Sequence, residues 1–423
     1  MTQHNQSLAE LLVRRGFVFQ HTGESLEVIT EQPRTLYLGI DPTADSLHVG
    51  HLMSLMMLRH FSSFGHKIVV LIGGGTATIG DPSGKSEERV LLEEGTVGAN
   101  TAAVSVQISK VLGTSEFTIV NNIDWLGPLP VLGFLRDIGK YFSLNEMIRK
   151  ESVRRRIEDP KGSISFTEFS YSILQAFDFY ILHHKYGCDL QIGGSDQWGN
   201  ITAGIELLRK KDGVEVHGIT IPLLVNSVTG KKFGKTEDGA IWLDAQKTTP
   251  YKFYQFWMKT DDKNVPAYLH FFTTLSEEDI DNLSASAVSA PELREAQARL
   301  AFEVTTLIHG HDEAVKCKNV SHIIFGGDSQ GITKDEMTLL LSEAPSLKLN
   351  EELNADGMEL TDVLIKGSLA SSKREARNLI ESGGVSLNGQ KIKDQKFLLT
   401  ANHLKNDFAT IRKGKRDILL VYR

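Results

Sequence analysis

Hydrophobic positions in the first half of the chain alternate between two spacings. Short β-branched runs at 35–40, 67–72 and 117–122 have the length and composition of strands, and the stretches at 52–64 and 166–184 repeat apolar residues at helical spacing. Two further runs, 189–192 and 219–225, extend the alternation. Such βαβ units build a parallel sheet with helices on both faces, so residues 1–225 are expected to form a doubly wound, Rossmann-like α/β domain. A polar, glycine-containing connection follows at 226–249. Beyond it the strand signals cease, and acidic helical segments such as 277–283 and 291–308 predict a helical domain over 250–344. A polar linker at 345–357 leads into a final region, 358–423, where helical spacing gives way to strand-like runs at 385–391 and 418–422, an α+β pattern.

Charge sets that last region apart. From Glu359 onward the chain carries a net +6, which leaves −13 for everything before it in a total of −7. A basic module at the end of an acidic chain points to a polyanionic partner there and excludes a uniformly basic nucleic-acid coat. The length of 423 residues calls for more than one domain. Cys188 and Cys317 stand far apart, so neither a disulfide framework nor a cysteine-rich zinc site is available. No run approaches the roughly 18 apolar residues of a membrane span, and Met1 to Gly16 has the features of neither a secretory nor a transit peptide. A cytoplasmic protein without membrane contact is the expectation.

Two glycine-rich stretches invite nucleotide readings that their spacing denies. Gly73-Gly74-Gly75-Thr76-Ala77-Thr78 has threonine where a dinucleotide fold needs its last glycine. Gly80-Asp81-Pro82-Ser83-Gly84-Lys85-Ser86 is one residue short of a phosphate-cradling P-loop. His48 and His51 lie three apart, but no third ligand stands near them at ligand spacing, so no protein-held metal is expected.

A different pair of motifs survives. The strand at 35–40 runs into Asp41-Pro42-Thr43-Ala44-Asp45-Ser46-Leu47-His48-Val49-Gly50-His51 and then directly into a helix, the place where open α/β sheets bind nucleotides. Gly50 permits close backbone approach, and the two imidazoles, one helical turn apart, can both donate hydrogen bonds to phosphate oxygens. Much later, Lys231-Lys232-Phe233-Gly234-Lys235-Thr236 places ammonium groups on a polar, glycine-containing segment. By itself each motif is also compatible with a solvated helix start or a solvated lysine-rich loop.

Together they resemble the class I aminoacyl-tRNA synthetases, marked by a His-x-Gly-His motif and a later Lys-Met-Ser-Lys-Ser-like loop. The likeness to the bacterial tyrosyl branch of that family is close. It extends through Tyr37-Leu38-Gly39-Ile40, Gly80-Asp81-Pro82-Ser83-Gly84-Lys85, Tyr171-Ser172-Ile173-Leu174-Gln175-Ala176-Phe177-Asp178 and Gly193-Gly194-Ser195-Asp196-Gln197-Trp198-Gly199-Asn200, and covers essentially the whole chain. Val49 replaces the usual isoleucine, and Phe233-Gly234 with Thr236 replaces Met-Ser and Ser. Both histidines and both lysines are kept.

The resemblance implies activation of L-tyrosine by ATP, with Mg²⁺, to an adenylate, followed by transfer to the terminal ribose of tRNA(Tyr). It assigns His48, His51, Lys232, Lys235 and Thr43 to catalysis, and Gly39, Gly50, Gly194 and Asp196, with the same histidines and lysines, to ATP. Tyr171, Gln175 and Asp178 fall at i, i+4 and i+7 and so project from one face of a helix. By resemblance Asp178 and Tyr37 meet the substrate phenol, and Tyr171 and Gln175 its α-ammonium, assisted by Asp41, Asp81, Asn122 and Gln197. In the basic module, Lys373, Arg374 and Arg377 cluster on one helix that can grip RNA phosphates. The tyrosyl branch also implies a homodimer. A tryptophanyl relative, a nucleotidyltransferase sharing the histidine motif and a catalytically silent RNA-binding relative are the competing readings. Asp178 with Tyr37 disfavours the first, the lysine loop and basic module the second, and the intact histidines and lysines the third.

Overall fold

In the computed structural model, which describes residues 6–83, 92–113, 116–159, 163–224, 233–236, 239–327, 332–349, 357–405, 407–414 and 417–423, the five expected strands and one more form a six-stranded sheet. They are β1 (Gln20–His21), β2 (Thr35–Ile40), β3 (Lys67–Ile72), β4 (Phe117–Asn121), β5 (Cys188–Gly194) and β6 (His217–Ile221). Their spatial order is β1-β6-β5-β2-β3-β4. Strands β2 to β6 run parallel, and the two-residue β1 adds an antiparallel edge that the hydrophobic pattern did not foretell. Every residue of β6 and all of β3 but Lys67 are buried, as expected for a parallel sheet covered on both faces. The order reverses between β2 and β5. Chain leaving these two carboxyl ends turns to opposite sides, and a crevice opens there.

Three helices position the groups around that crevice. Helix α1 (Val49–Ser63) starts earlier than its apolar spacing predicts, because His48 caps it. Helix α2 (Phe166–Tyr186) is capped by Ser165, whose side chain accepts from the Glu168 N–H, and stops at Gly187, which takes the left-handed conformation of a helix C-terminus. Helix α3 (Trp198–Asp212) follows β5 after the single turn Ser195–Gln197. On α2, Ala176, Phe179 and Leu182 are fully buried, and Phe179 meets Tyr37 of β2 edge-to-face at 5.1 Å. Phe179 and Leu182 each contribute about 1.5–3 kcal/mol by leaving water. They hold the Tyr171, Gln175 and Asp178 face of α2 in register with the sheet.

Compactness divides the chain into two units, 1–249 with 256–300 and 250–255 with 301–423. The helical stretch expected as one domain over 250–344 is thus shared between them. Residues 256–300 go with the first unit for a physical reason: the buried Arg15 guanidinium donates to the carbonyls of His270 and Thr273 at 3.2 and 2.7 Å. Trp257 and Phe272 also pack with Phe233 in one aromatic cluster.

The second unit contains a five-stranded sheet of Gln390–Ile392, Val385–Leu387, Phe408–Lys413, Asp417–Tyr422 and Ser346–Lys348, in that order. Two expectations are corrected here. The run at 385–391 is a hairpin, not one strand, because Asn388 and Gly389 take positive φ of 49° and 82°, the turn an Asn-Gly pair favours. The stretch at 345–357 is not wholly a linker, since Ser346–Lys348 pairs parallel with Asp417–Tyr422, while 350–356 lie outside the described residues. Leu360, Val363, Ile380, Val385, Ile411 and Leu419 form this sheet's core with the helices Leu360–Lys366 and Lys373–Glu381.

Candidate active site

A cavity of about 610 Å³ opens where β2 and β5 end. Tyr37, Gly39, Asp41 and Thr43 line it from β2 and the turn beyond, Gly194, Asp196 and Gln197 from the end of β5, and Tyr171, Gln175 and Asp178 from α2. The i, i+4, i+7 stripe therefore faces one space, as its spacing predicts.

Three carboxylates are held there by different donors. Asp178, 1% exposed, accepts from Asn122 Nδ2 at 2.9 Å and from Trp125 Nε1 at 2.7 Å. Burial pushes its carboxyl up to about 7, against the pull of those two hydrogen bonds and with the Asp41 charge adding to the rise. Asp41 accepts from Tyr171 Oη and Thr76 Oγ1, both at 2.7 Å, and Asn122 Nδ2 also donates to Thr76 Oγ1 at 3.0 Å. Asp81 accepts from Gln197 Nε2 at 2.6 Å and from the Ser83 N–H at 2.9 Å. Among the described residues the fully buried Tyr37 hydroxyl has no hydrogen-bond partner, and burial with the nearby Asp178 holds its phenol well above the ordinary range.

Gly73-Gly74-Gly75-Thr76 finds its use here. A Cβ on Gly73 would lie 1.9 Å from Asp41 Oδ1, and the Gly75 N–H donates to Asn122 Oδ1 at 2.7 Å. This turn supports the carboxylates instead of a dinucleotide. Asn122 is fully buried behind Asp178 and is not part of the cavity wall, so it orients the carboxylate.

The histidine motif forms a reciprocal helix cap. His48 Nδ1 accepts from the Gly50 N–H at 3.0 Å, and His51 Nδ1 accepts from the His48 N–H at 3.2 Å. A neutral imidazole that accepts through Nδ1 carries its proton on Nε2. Burial, then the neighbouring His48, lowers the His51 pKa to about 3, so its ring is neutral. The rings lie 4.0 Å apart, and both line the cavity.

The root of the lysine segment touches this motif. Phe233 stacks on Phe272 at 5.4 Å, and Gly234, at φ +80°, passes so close to Val49 that a Cβ would lie 2.6 Å from its side chain. Phenylalanine and glycine at these positions are thus an anchor and a close contact. Beyond, Val49 N–H donates to the Ile241 carbonyl at 3.0 Å and Leu243 N–H to the Leu47 carbonyl at 2.8 Å, tying the segment to the histidines. The backbone of Lys235 follows in a two-residue strand, and Lys231 and Lys232 lie outside the described residues, as do Gly84 and Lys85.

Thr76, Trp125, Gln191 and Trp242 were not anticipated. Gln191, 2% exposed and lining the cavity with no partner for its Oε1 among the described residues, stands as a polar residue inside an apolar strand, a signal open to reading. In the second unit Arg374 and Arg377 are exposed, and Lys373 pairs with Asp362 at 2.8 Å. Among the described residues no group of three or more His, Cys, Asp or Glu is placed to hold a metal, and no helix is long and apolar enough to cross a membrane.

Residues 30–326 match the family model of tRNA synthetases class I (W and Y), and residues 336–421 that of the tyrosine–tRNA ligase SYY-like C-terminal domain. A switch-point cavity behind a His-x-Gly-His helix cap, with this match, defines a class I tRNA synthetase. The chain is 47% identical over 422 residues to the tyrosine–tRNA ligase of Geobacillus stearothermophilus, covering 98% of this chain and 99% of the relative. It is 45% identical over 425 residues to that of Staphylococcus saprophyticus, with coverage of 98% and 99%. A truncated mitochondrial tyrosyl-tRNA synthetase of Aspergillus nidulans superposes with a TM-score of 0.69 at 32% identity, covering 76% of this chain and 95% of that one. The chain belongs to the tyrosine–tRNA ligase family, and its reaction is the ATP-dependent joining of tyrosine to tRNA.

Proposed function

We propose that residues 1–225 bind tyrosine and ATP in the one cavity, with the phenol at Tyr37 and Asp178. The observation that carries this reading is a buried carboxylate beside a buried hydroxyl that lacks a partner among the described residues, since both gain one when a phenol enters. Tyr171, Gln175, Asp81, Asp41 and Gln197 then receive the α-ammonium. The tyrosine carboxylate attacks the α-phosphate, a P–O bond forms, and the bond to pyrophosphate breaks. His48 and His51, neutral and carrying Nε2 protons, donate to the phosphate oxygens as negative charge grows, and Lys232 and Lys235 receive the pyrophosphate. Gly39, Thr43, Gly50, Gly194 and Asp196 seat the nucleotide. The terminal ribose hydroxyl of tRNA(Tyr) next attacks the carbonyl carbon, releasing AMP.

Mg²⁺ enters with ATP as its counter-ion. It needs few protein ligands when phosphates supply the rest. The expected result is that only tyrosine, among tyrosine, phenylalanine and tryptophan, supports exchange of labelled pyrophosphate into ATP. Equal exchange with phenylalanine overturns the assignment of the pocket.

The basic module, with Lys373, Arg374 and Arg377, grips tRNA phosphates, and the enzyme works in the cytoplasm, where its tRNA is. It acts as a homodimer. Support comes from the helix Val131–Asp137, none of whose residues is buried and on which Val131, Leu132 and Leu135 are 71, 83 and 53% exposed. Such an apolar row seeks a second copy. Leu132→Asp is expected to shift the sedimenting species from dimer to monomer, and an unchanged dimer would place the contact elsewhere.

A further inference from the structure

Arg412 sits in the middle of the C-terminal sheet, opposite Ser386 on one neighbouring strand and Ile418 on the other. A central strand with a basic side chain on a solvent face would leave that side chain exposed. Here both faces of the strand are closed. Ala409 and Ile411 enter the module's own core, and Thr410 and Arg412, on the other face, are 6 and 9% exposed.

The guanidinium donates to the carbonyl of Ile324 at 3.0 Å and to that of Ile323. These are the last two residues of the helix His311–Ile324, whose final carbonyls lack helical partners and carry the negative end of its dipole. Among the described residues no carboxylate pairs with Arg412, and burial lowers its pKa. The helix end is therefore its counter-charge. A planar fork can reach two carbonyls at once, and a single ammonium cannot hold both in the same geometry.

We propose that Arg412 is a positioning residue for tRNA charging: it latches the basic module onto the end of the helix His311–Ile324, so that the RNA it grips is presented in one orientation. This rests on the module's reading as an RNA-binding element. The latch touches neither the cavity nor the exposed arginines of helix Lys373–Glu381.

The test uses the full chain. Arg412→Leu is expected to leave pyrophosphate exchange within about twofold and to raise the KM for tRNA in charging roughly tenfold with kcat nearly kept, since one partly buried charge at a helix end is worth about a factor of ten. Arg412→Lys should fall between the two. Hydrogen exchange should accelerate in the last turn of the helix, while the amides of Phe408–Lys413 and Asp417–Tyr422 keep their protection. An unchanged KM overturns the latch, and so does loss of protection across the sheet, which would make Arg412 a folding residue. A parallel variant, Arg374→Ala with Arg377→Ala, separates the two claims. If it charges tRNA normally, the RNA reading falls and takes the latch with it. If it is defective and Arg412→Leu is normal, the latch alone falls.

Discussion

Replacing Asp178 with alanine is expected to remove most of the enzyme's preference for tyrosine over phenylalanine. In the proposed pocket, phenylalanine would leave a buried carboxylate and the Tyr37 hydroxyl short of a partner, whereas the tyrosine hydroxyl would serve both. A hydrogen bond to a charged group is worth about 1.5–3 kcal/mol, so the ratio of kcat/KM values in pyrophosphate exchange should fall by roughly ten- to one-hundred-fold. The alanine also orphans Trp125 Nε1 and leaves Asn122 Nδ2 with Thr76 Oγ1 alone, which lowers activity with tyrosine itself. Undiminished discrimination would mean that another group reads the hydroxyl. The same residue leaves a mark on stability. Its carboxyl is raised from 3.8 to about 7, so the folded, ligand-free protein holds a proton that the unfolded chain releases. The stability this contributes is present at low pH and declines as pH rises from about 4 to about 7. In Asp178→Asn that component of the slope should vanish.

Lys235→Ala should depress adenylate formation by roughly 10²–10³, the cost of losing one donor to developing charge. Tyrosine affinity, read by equilibrium fluorescence, should move less than about twofold, because a group that acts on the leaving phosphates contributes to the transition state and not to the amino-acid complex. The backbone supports this assignment. Lys235 comes one residue after Gly234, which abuts Val49 between the two histidines of the motif. Equal losses in tyrosine affinity and in rate would remove the lysine from pyrophosphate.

Long, repeated patterns made much of this legible in advance. The parallel strands announce themselves as β-branched runs, and the spacing of Tyr171, Gln175 and Asp178 alone sets them on one helical face. Short elements did not: β1 has two residues, and the Asn388-Gly389 turn hid inside an apparently continuous strand. The supports of the site were hidden for another reason. Thr76 reaches Asp41 across 35 positions of chain and Trp125 reaches Asp178 across 53, and periodicity carries no information about such contacts. Glycines at 73 to 75 fail a dinucleotide pattern, and the crowding of Gly73 against Asp41, Gly74 against Asn121 and Gly75 against Leu126 and Asn122 explains them.

The chain of hydrogen bonds from Asp178 through Asn122 and Thr76 to Asp41 and Tyr171 makes the two ends of the proposed amino-acid pocket energetically dependent. Substitutions that each recognise one end of an altered substrate will therefore not combine by simple addition. Whoever retunes this enzyme toward a non-natural amino acid will have to select both ends at once, because a library built one residue at a time samples backgrounds in which the intervening amide and hydroxyl are still set for tyrosine.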